Sequence, residues 1–493
     1  MARIDITNIR STIDFIRERD ELLTVKAEVD PVCEISGIQK ALDGGPAVLF
    51  EKIKGYPGIM NIGNVFSSEE RTAAMFGVRR YNELKFSCLE AIAKPIPPEV
   101  IEEASCQEVI ITDSIDLIST LPIIKHSEGD GAPVLGGGVP LVTALAGSKG
   151  SDLSFKRVCF RGANLGTIYI GPGSHLDHIL NVEHKGKKIP LTINITVPPA
   201  VALIAAANPV KAVVSQGADE LGMSGALQGS PVKICKARTV DAYAIANSEW
   251  VIEGYLTPDV CWETEEAERM GKSGVLPLLP EYHGYLGKAM LAKKLEITAI
   301  THRDRPIFYT PLADSYEARI MGHPLAEASL YQLAYKIEPD LVLDVNIPVA
   351  FNKCGVVLKV KKTAADDDEK IRSMLHSLLE ISRRSLIVVV DEDIDIYSAD
   401  DILWAIWTRG MTDKRMLRIR PDGTVDLTAN IPSQTEGIVG MDATLPFSMR
   451  DKYKRAHYPV DNIELSQWFS EAEIVKARRS QSEYAQIVSK MGT

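Results

Sequence analysis

The segment Pro190-Leu191-Thr192-Ile193-Asn194-Ile195-Thr196-Val197 alternates large apolar residues with small polar ones. A period of two puts Leu191, Ile193 and Ile195 on one face of a strand and Thr192 and Asn194 on the other. Working outward, Leu135 to Ala146 is apolar and punctuated by glycine, while Val158-Cys159-Phe160 and Gly166-Thr167-Ile168-Tyr169-Ile170 read as strands. Val201 to Ala207, Val213-Val214, Val232 to Lys236 and Trp250 to Glu253 are further strand candidates, with a small-residue turn at Gly222 to Gly225. So many strands with little helix between them predict a barrel or sandwich over 116–314. Gly136-Gly137-Gly138 invites a phosphate-loop reading, but no GxGxxG and no GKS or GKT follows, and a bend in a strand accounts for it better.

The flanks differ in character. Residues 1–115 alternate helical and extended patterns: a helix over 8–22, strands near Leu22 to Val29 and Ala47 to Glu51, and a helix capped by Ser67 or Ser68 and closed by Gly77. This is an N-terminal α/β domain. Residues 315–337 form helix, which Gly322 and Pro324 should interrupt. Residues 315–493 comprise this linker and a C-terminal α/β domain, with strands at Asp340 to Val345, Gly355 to Val360 and Ser385 to Val390. The last of these is apolar on both faces. Ser398 caps a helix, and the tail from Ser466 reads as a charged amphipathic packing or oligomer element.

A chain of 493 residues exceeds one core, and its net charge of −11 argues against nucleic acid as a partner. Seven scattered cysteines with no CxxC pair suggest neither a disulfide framework nor a zinc ribbon. No apolar run approaches the roughly 18 residues of a membrane span, and the N-terminus lacks the pattern of a signal peptide. A cytoplasmic location with no membrane partner is the expectation.

Chemistry concentrates at Leu278-Leu279-Pro280-Glu281-Tyr282-His283-Gly284-Tyr285. A carboxyl group flanked by Leu, Pro and Tyr is partly desolvated, which raises its pKa and lets it carry a proton near neutrality. The competing reading is an ordinary solvated loop glutamate. Asp152 and Arg157 lie five residues apart with His175 eighteen further on; Asp and His are divalent-ion ligands, and Arg suits phosphate or carboxylate, although a surface ion pair is the plainer alternative. Glu220 to Leu227 has small residues that permit close approach of a ligand, or merely a tight connection. Asp391-Glu392-Asp393 reads as a solvated strand end rather than a metal cluster. Thr301-His302-Arg303 reaches an acidic group or ends a hairpin.

Taken together, Leu121-Pro122-Ile123-Ile124-Lys125-His126, the Asp152/Arg157/His175 spacing, Glu220 to Leu227, Ser248 to Gly254, Pro280 to Tyr285, Val390 to Ile396 and Gly440-Met441-Asp442-Ala443-Thr444 resemble the UbiD family of decarboxylases. The matches run in order from about residue 45 to 455. The branch acting on hydroxylated benzoates, such as protocatechuate and gallate, is the most similar. The resemblance implies a split β-barrel binding prenylated FMN between the two α/β domains, a divalent metal, usually manganese, with potassium nearby, and a homo-oligomer from dimer to hexamer assembled through the C-terminal domain. It also implies a flavin prenyltransferase as cofactor supplier and a small aromatic carboxylic acid as substrate.

By the same resemblance Glu281 is the catalytic acid, Arg157 the family arginine, and Asp152 and His175 metal-site positions. Met223, Ser224 and Lys353 fall among the cofactor-binding positions, and His283 or His302 orients a substrate oxygen. The implied reaction is reversible, non-oxidative decarboxylation through a covalent adduct with prenylated FMN, Glu281 returning a proton to the ring carbon. An aryl-CoA or heteroaromatic carboxylate is the alternative substrate, and a flavin-binding homologue without activity the alternative protein. Two departures stand out. Arg238, in Ala237-Arg238-Thr239, replaces an expected metal-binding glutamate and instead neutralises phosphate; Leu276 replaces a second acid, so Glu281 acts without a neighbouring one.

Overall fold

The computed structural model describes residues 4–142, 151–172, 174–184, 186–215, 217–382, 384–419, 437–456, 458 and 463–477. The alternation over 190–197 is realised as the strand Ile189–Ile195, and its apolar face enters a closed six-stranded barrel. Around the barrel run Trp250–Trp262, Ile189–Ile195, Val134–Leu141, Lys156–Gly162, Leu165–Ile168 and Leu291–His302; pairing of the first with the last, from Trp250↔His302 to Trp262↔Leu291, closes the ring. Leu191, Ile193 and Ile195 pack there with Val158, Trp250 and Leu295, all but fully buried. Closure removes the free edges that a sheet of this size otherwise exposes.

Leu22–Val29, Ala47–Ile53 and Met60–Gly63 form a second sheet, and its fourth strand, Ile307–Tyr309, comes from beyond the barrel. Arg10, on the opening helix Ile9–Glu18, clasps the buried Glu249 with two hydrogen bonds at 2.9 and 2.8 Å. A third sheet, ordered Val342–Asn346, Gly355–Val360, Leu386–Asp391, Ile438–Ala443, Met416–Ile419, is covered on both faces, with Val389 in one core and Val388 and Val390 in another. Continuous apolarity in Ser385 to Val390 predicts this two-sided burial. Asp391 is no solvated strand end: it is 4 % exposed and pairs with Arg409 at 2.8 Å. The described residues up to Thr444 form one compact unit. In the second, from Leu445, the described residues contain short turns at Phe447–Met449 and Leu465–Gln467 and a helix over 471–477, so most of the expected tail helix lies outside the described residues.

Three local expectations change. Val201 to Ala207 is helical, as Pro199–Ala206, because an apolar run buried on every side carries no period and the proline at its first turn starts a helix. Val213-Val214 is turn. Glu220–Gln228 is a helix capped by Asp219, and Gly222 and Gly225 lie inside it; a Cβ at either would come within 2.9 Å of Pro95 or 2.6 Å of the Ile96 carbonyl, so these glycines admit a crossing chain and not a ligand.

The helix Tyr316–Ile337 is unbroken despite Pro324. Proline removes the donor that would serve the Ile320 carbonyl, four residues back. The Tyr81 hydroxyl donates to that carbonyl at 2.7 Å, so the orphaned acceptor is satisfied from another helix layer. Tyr81→Phe is therefore expected to lower stability by about 1–3 kcal/mol, read as a drop in denaturant midpoint. Among the described residues no helix is long and apolar enough to cross a membrane.

Candidate active site

Glu281 sits in the turn of a small hairpin, Pro277–Pro280 with Leu286–Lys288. The Glu281 amide donates to the Tyr285 carbonyl at 3.0 Å, and the Gly284 amide donates to the Glu281 carbonyl at 2.9 Å. Gly284 turns the chain at φ +85°, a conformation that L side chains resist. Gly287 makes the second allowance, since a Cβ there would stand 2.7 Å from the Glu281 Cγ and Oε1. Gly287→Ala is expected to push Glu281 out of position and cost at least about tenfold in turnover, checked by kcat with cofactor content held constant.

Arg157, on the barrel strand Lys156–Gly162, reaches Glu281 at 3.0 Å. Its other bonds go to Glu263, through Nε at 3.0 Å and a second nitrogen at 2.9 Å, and to the Lys288 carbonyl at 3.0 Å. Its guanidinium also lies 5.0 Å from the centre of the Tyr169 ring. Burial raises the carboxyls of Glu281 and Glu263 above their ordinary range, while Arg157 pulls both back down. The arrangement is carboxyl, guanidinium, carboxyl, and it is held on three separate strands or turns.

Glu263 is the residue that sequence reasoning missed. Sought five residues before Glu281, where Leu276 stands, the second acid instead follows the barrel strand Trp250–Trp262, fully buried and accepting from the Met290 amide at 2.7 Å. A charged residue between Trp262 and the helix-capping Thr264 was the available signal. Glu281 thus has a neighbouring acid, linked to it through Arg157.

Asp152 and His175 come together, with 3.3 Å between Oδ1 and Nδ1, and Asp152 does not pair with Arg157. The other Asp152 oxygen is buried with no partner among the described residues. Glu220, bonded to the Leu153 amide, stands near enough for burial and the Asp152 charge to push its carboxyl well above the ordinary range. Two crowded carboxyls and an imidazole are donors suited to a hard divalent cation. Among the described residues, no three His, Cys, Asp or Glu side chains are already drawn into a metal-holding shell. Arg238 is exposed, and its amide, not its side chain, serves the buried Glu253 at 2.9 Å; the second carboxyl beside Asp152 and His175 is Glu220.

Of the other expected residues, Met223 lies in the hydrophobic core and the Ser224 hydroxyl is spent on the Glu220 carbonyl at 2.8 Å, as helix geometry dictates once the presumed turn is a helix. His302 stacks on Trp250, ring centres 4.5 Å apart, at the far end of the strand that begins near Glu263. Eleven residue steps at 3.3 Å put it about 36 Å from Leu291 along the strand, too far to share a substrate with Glu281. His283 remains beside the turn, flanked by Tyr282 and Tyr285, its Nε2 buried with no partner among the described residues and its pKa lowered by burial. Burial also brings Lys353 down to about 8, helped by Arg384 and Arg319. Its Nζ lies 2.7 Å from where a Gly322 Cβ would be, next to His323, a histidine unremarked in the sequence whose buried Nε2 also has no partner among the described residues. Cys354 and Arg384 connect this cationic cluster to Tyr282.

Comparison with known proteins decides the family. Residues 13–86, 99–314 and 319–443 match the N-terminal, Rift-related and C-terminal domains of 3-octaprenyl-4-hydroxybenzoate carboxy-lyase, UbiD. The chain is a UbiD-family carboxy-lyase. A gallate decarboxylase of Lactiplantibacillus plantarum is 28 % identical over 461 residues, 87 % of this chain and 92 % of the relative. Two UbiD-class structures superpose throughout: HmfF of Pelotomaculum thermopropionicum, an evolved dimeric form with prFMN (27 % identity, TM-score 0.79, 94 % of this chain and 100 % of that one), and apo 3,4-dihydroxybenzoic acid decarboxylase of Klebsiella pneumoniae (27 %, 0.79, 94 % and 100 %). The residues of this UbiD protein fit a phosphorylated flavin. Gly136, part-exposed and without a side chain, lies across the ladder from Arg157, and the Asp152 oxygen with no partner among the described residues is left for a cation or a donor.

Proposed function

We propose that this protein decarboxylates a hydroxylated benzoic acid, reversibly and without net oxidation, with prenylated FMN bound in the barrel. The observation that carries the reading is the Glu263–Arg157–Glu281 chain, in which one arginine holds two buried carboxyls of raised pKa. Loss of carbon dioxide from an aromatic ring leaves a carbanion in the ring plane that the π-system cannot delocalise. Prenylated FMN, when bound, supplies the electron sink that the protein side chains lack.

The work of the protein is then positional and protonic. Arg157 fixes the carboxyl of Glu281 and lets Glu263 balance its charge, while burial raises the Glu281 pKa and favours the proton-bearing form that delivers its proton to the ring carbon that lost the carboxylate. Lys353, in its cationic cluster, attracts the aromatic acid, and His283, neutral through burial, orients a ring oxygen. Asp152 and His175, joined by Glu220, are the proposed holders of a divalent ion, manganese by family resemblance, with potassium nearby. A flavin prenyltransferase is the proposed cofactor supplier and a homo-oligomer the proposed assembly.

The test is direct. Protein co-produced with a flavin-prenylating enzyme is examined by absorbance and by mass of the released ligand, then offered a panel of benzoic, furoic and aryl-thioester acids. The expected result is a bound prenylated flavin and carbon dioxide release confined to hydroxylated benzoates. A protein without flavin, or one that turns over only the heteroaromatic acids, overturns the reading.

A further inference from the structure

We infer that His126, oriented by Asp130, is a further substrate-binding group that accepts a hydrogen bond from a ring hydroxyl of the acid. The inference rests on the decarboxylase reading above and specifies one half of its substrate recognition.

The dyad is built within five residues. Asp130 Oδ2 accepts from the His126 amide at 2.7 Å and stands 3.1 Å from Nδ1; Oδ1 accepts from the Ser127 amide at 3.1 Å and from its hydroxyl at 2.7 Å. Burial works against the Asp130 charge, but the bonds from His126 and Ser127 outweigh it and hold its carboxyl below the ordinary range. An ionised carboxylate at Nδ1 places the proton there and leaves Nε2 as the acceptor. The two side chains are 7 % and 1 % exposed, so this geometry is held away from bulk water. Three of the four bonds to Asp130 come from His126 N and Ser127, hence the turn closes without the imidazole.

Nε2 makes no hydrogen bond among the described residues and lies 3.7 Å from the position a Cβ of Gly136 would take. Gly136 and Gly137 form a bulge: Leu135 is paired with Val158 and Gly138 with Lys156, so both glycines face the single residue Arg157 across the ladder. Residues opposed in this way project to the same side of the sheet. The dyad therefore approaches the surface over which the Arg157 side chain runs. The same loop is fastened to the hairpin of Glu281, through the Gly131 amide to the Leu278 carbonyl at 2.8 Å and through contact of Gly129 with Leu286. His126 is thus tied at once to the strand of Arg157 and the hairpin of Glu281.

A neutral imidazole nitrogen accepts from O–H and repels the lone pairs of a carboxylate or an ether. The chemistry selects a phenolic hydroxyl, and a site built to bond a hydroxyl discriminates strongly against the analogue that lacks the proton. The experiment uses the cofactor-loaded enzyme, with dissociation constants measured for a hydroxybenzoate and for its methoxy counterpart. Wild type is expected to bind the hydroxy acid at least about tenfold more tightly. His126→Gln and Asp130→Asn should keep their flavin content and lose most of that preference, with Asp130→Asn the milder. Equal binding of both acids by the wild type overturns the inference, as do variants of lowered thermal midpoint whose preference is intact, the outcome of a purely structural dyad. Should His126→Gln prove insoluble, the wild-type comparison and Asp130→Asn still decide. A wild type that prefers the hydroxy acid yet releases no carbon dioxide supports the His126 assignment and sinks the decarboxylase reading instead.

Discussion

Replacing Glu281 with Gln is expected to lower carbon dioxide release by about 10²–10⁴-fold, the span typical of removing a positioned general acid. The amide oxygen of Gln is able to accept from Arg157 as the carboxylate does, so the hairpin and the cofactor content should be unchanged, and absorbance of the bound flavin checks that directly. The same assignment fixes the sign of the pH dependence. Burial raises the Glu281 pKa against the pull of Arg157. The proton-bearing form is fully present below that raised value and is lost as pH climbs through it, so kcat should fall on the alkaline side and the Gln variant should lack that limb. Full activity in Glu281→Gln, or an identical alkaline limb in it, assigns the proton to another group.

Arg157→Met is expected to have the second large effect, and on two observables. Glu263 and Glu281 would remain close together, half or wholly enclosed, with no cation between them. Leaving buried charge unpaired costs about 3–5 kcal/mol, unless both carboxyls take up protons, in which case the loss of stability is smallest at low pH. The chemical denaturation midpoint should drop at pH 7 and recover part of its loss near pH 5, and turnover should be abolished at both. Adding Glu263→Gln to Arg157→Met removes one of the stranded charges and should restore part of the stability but none of the activity, a non-additivity expected only of groups in direct contact.

What the residues announced in advance depended on whether the signal was local. Alternation at Leu191, Ile193 and Ile195 determines a burial face by itself, and the barrel core contains those side chains. The Glu281 turn was equally legible, because Pro280 and Gly284 act on their own backbone. Helix Pro199–Ala206 was not, since an apolar segment enclosed on all sides lacks the polar stripe that reveals a period. Tyr316–Ile337 was misjudged at Pro324 because the compensating hydroxyl of Tyr81 lies 239 positions away in the chain. Glu263 was hidden for the same reason: its partner Arg157 is 106 residues distant, and only closure of the barrel makes them neighbours. The helix Glu220–Gln228 was read as a turn because its small residues, Gly222, Ser224 and Gly225, carry the local signal of one. Resemblance to a family singled out Arg157 and Glu281 separately, without their contact, and looked for the second acid five residues before Glu281, whereas the acid that Arg157 also holds is Glu263.

The helix Tyr316–Ile337 has a mechanical consequence. Fifteen of its 22 residues are buried, in a core shared with the N-terminal layers at one end and with the third sheet at the other. Such an element cannot roll about its own axis without opening both cores, and Tyr81, latched to the Ile320 carbonyl in its second turn, holds the segment that leads into its proline. It behaves as a rigid strut. Any swing of the Lys353 cluster relative to the Glu281 hairpin as substrate enters has to be taken up at the strut's ends, around Asp314–Ser315 and Glu338–Asp340, and those short joints are where stiffening or loosening the chain would change how fast the site opens and shuts.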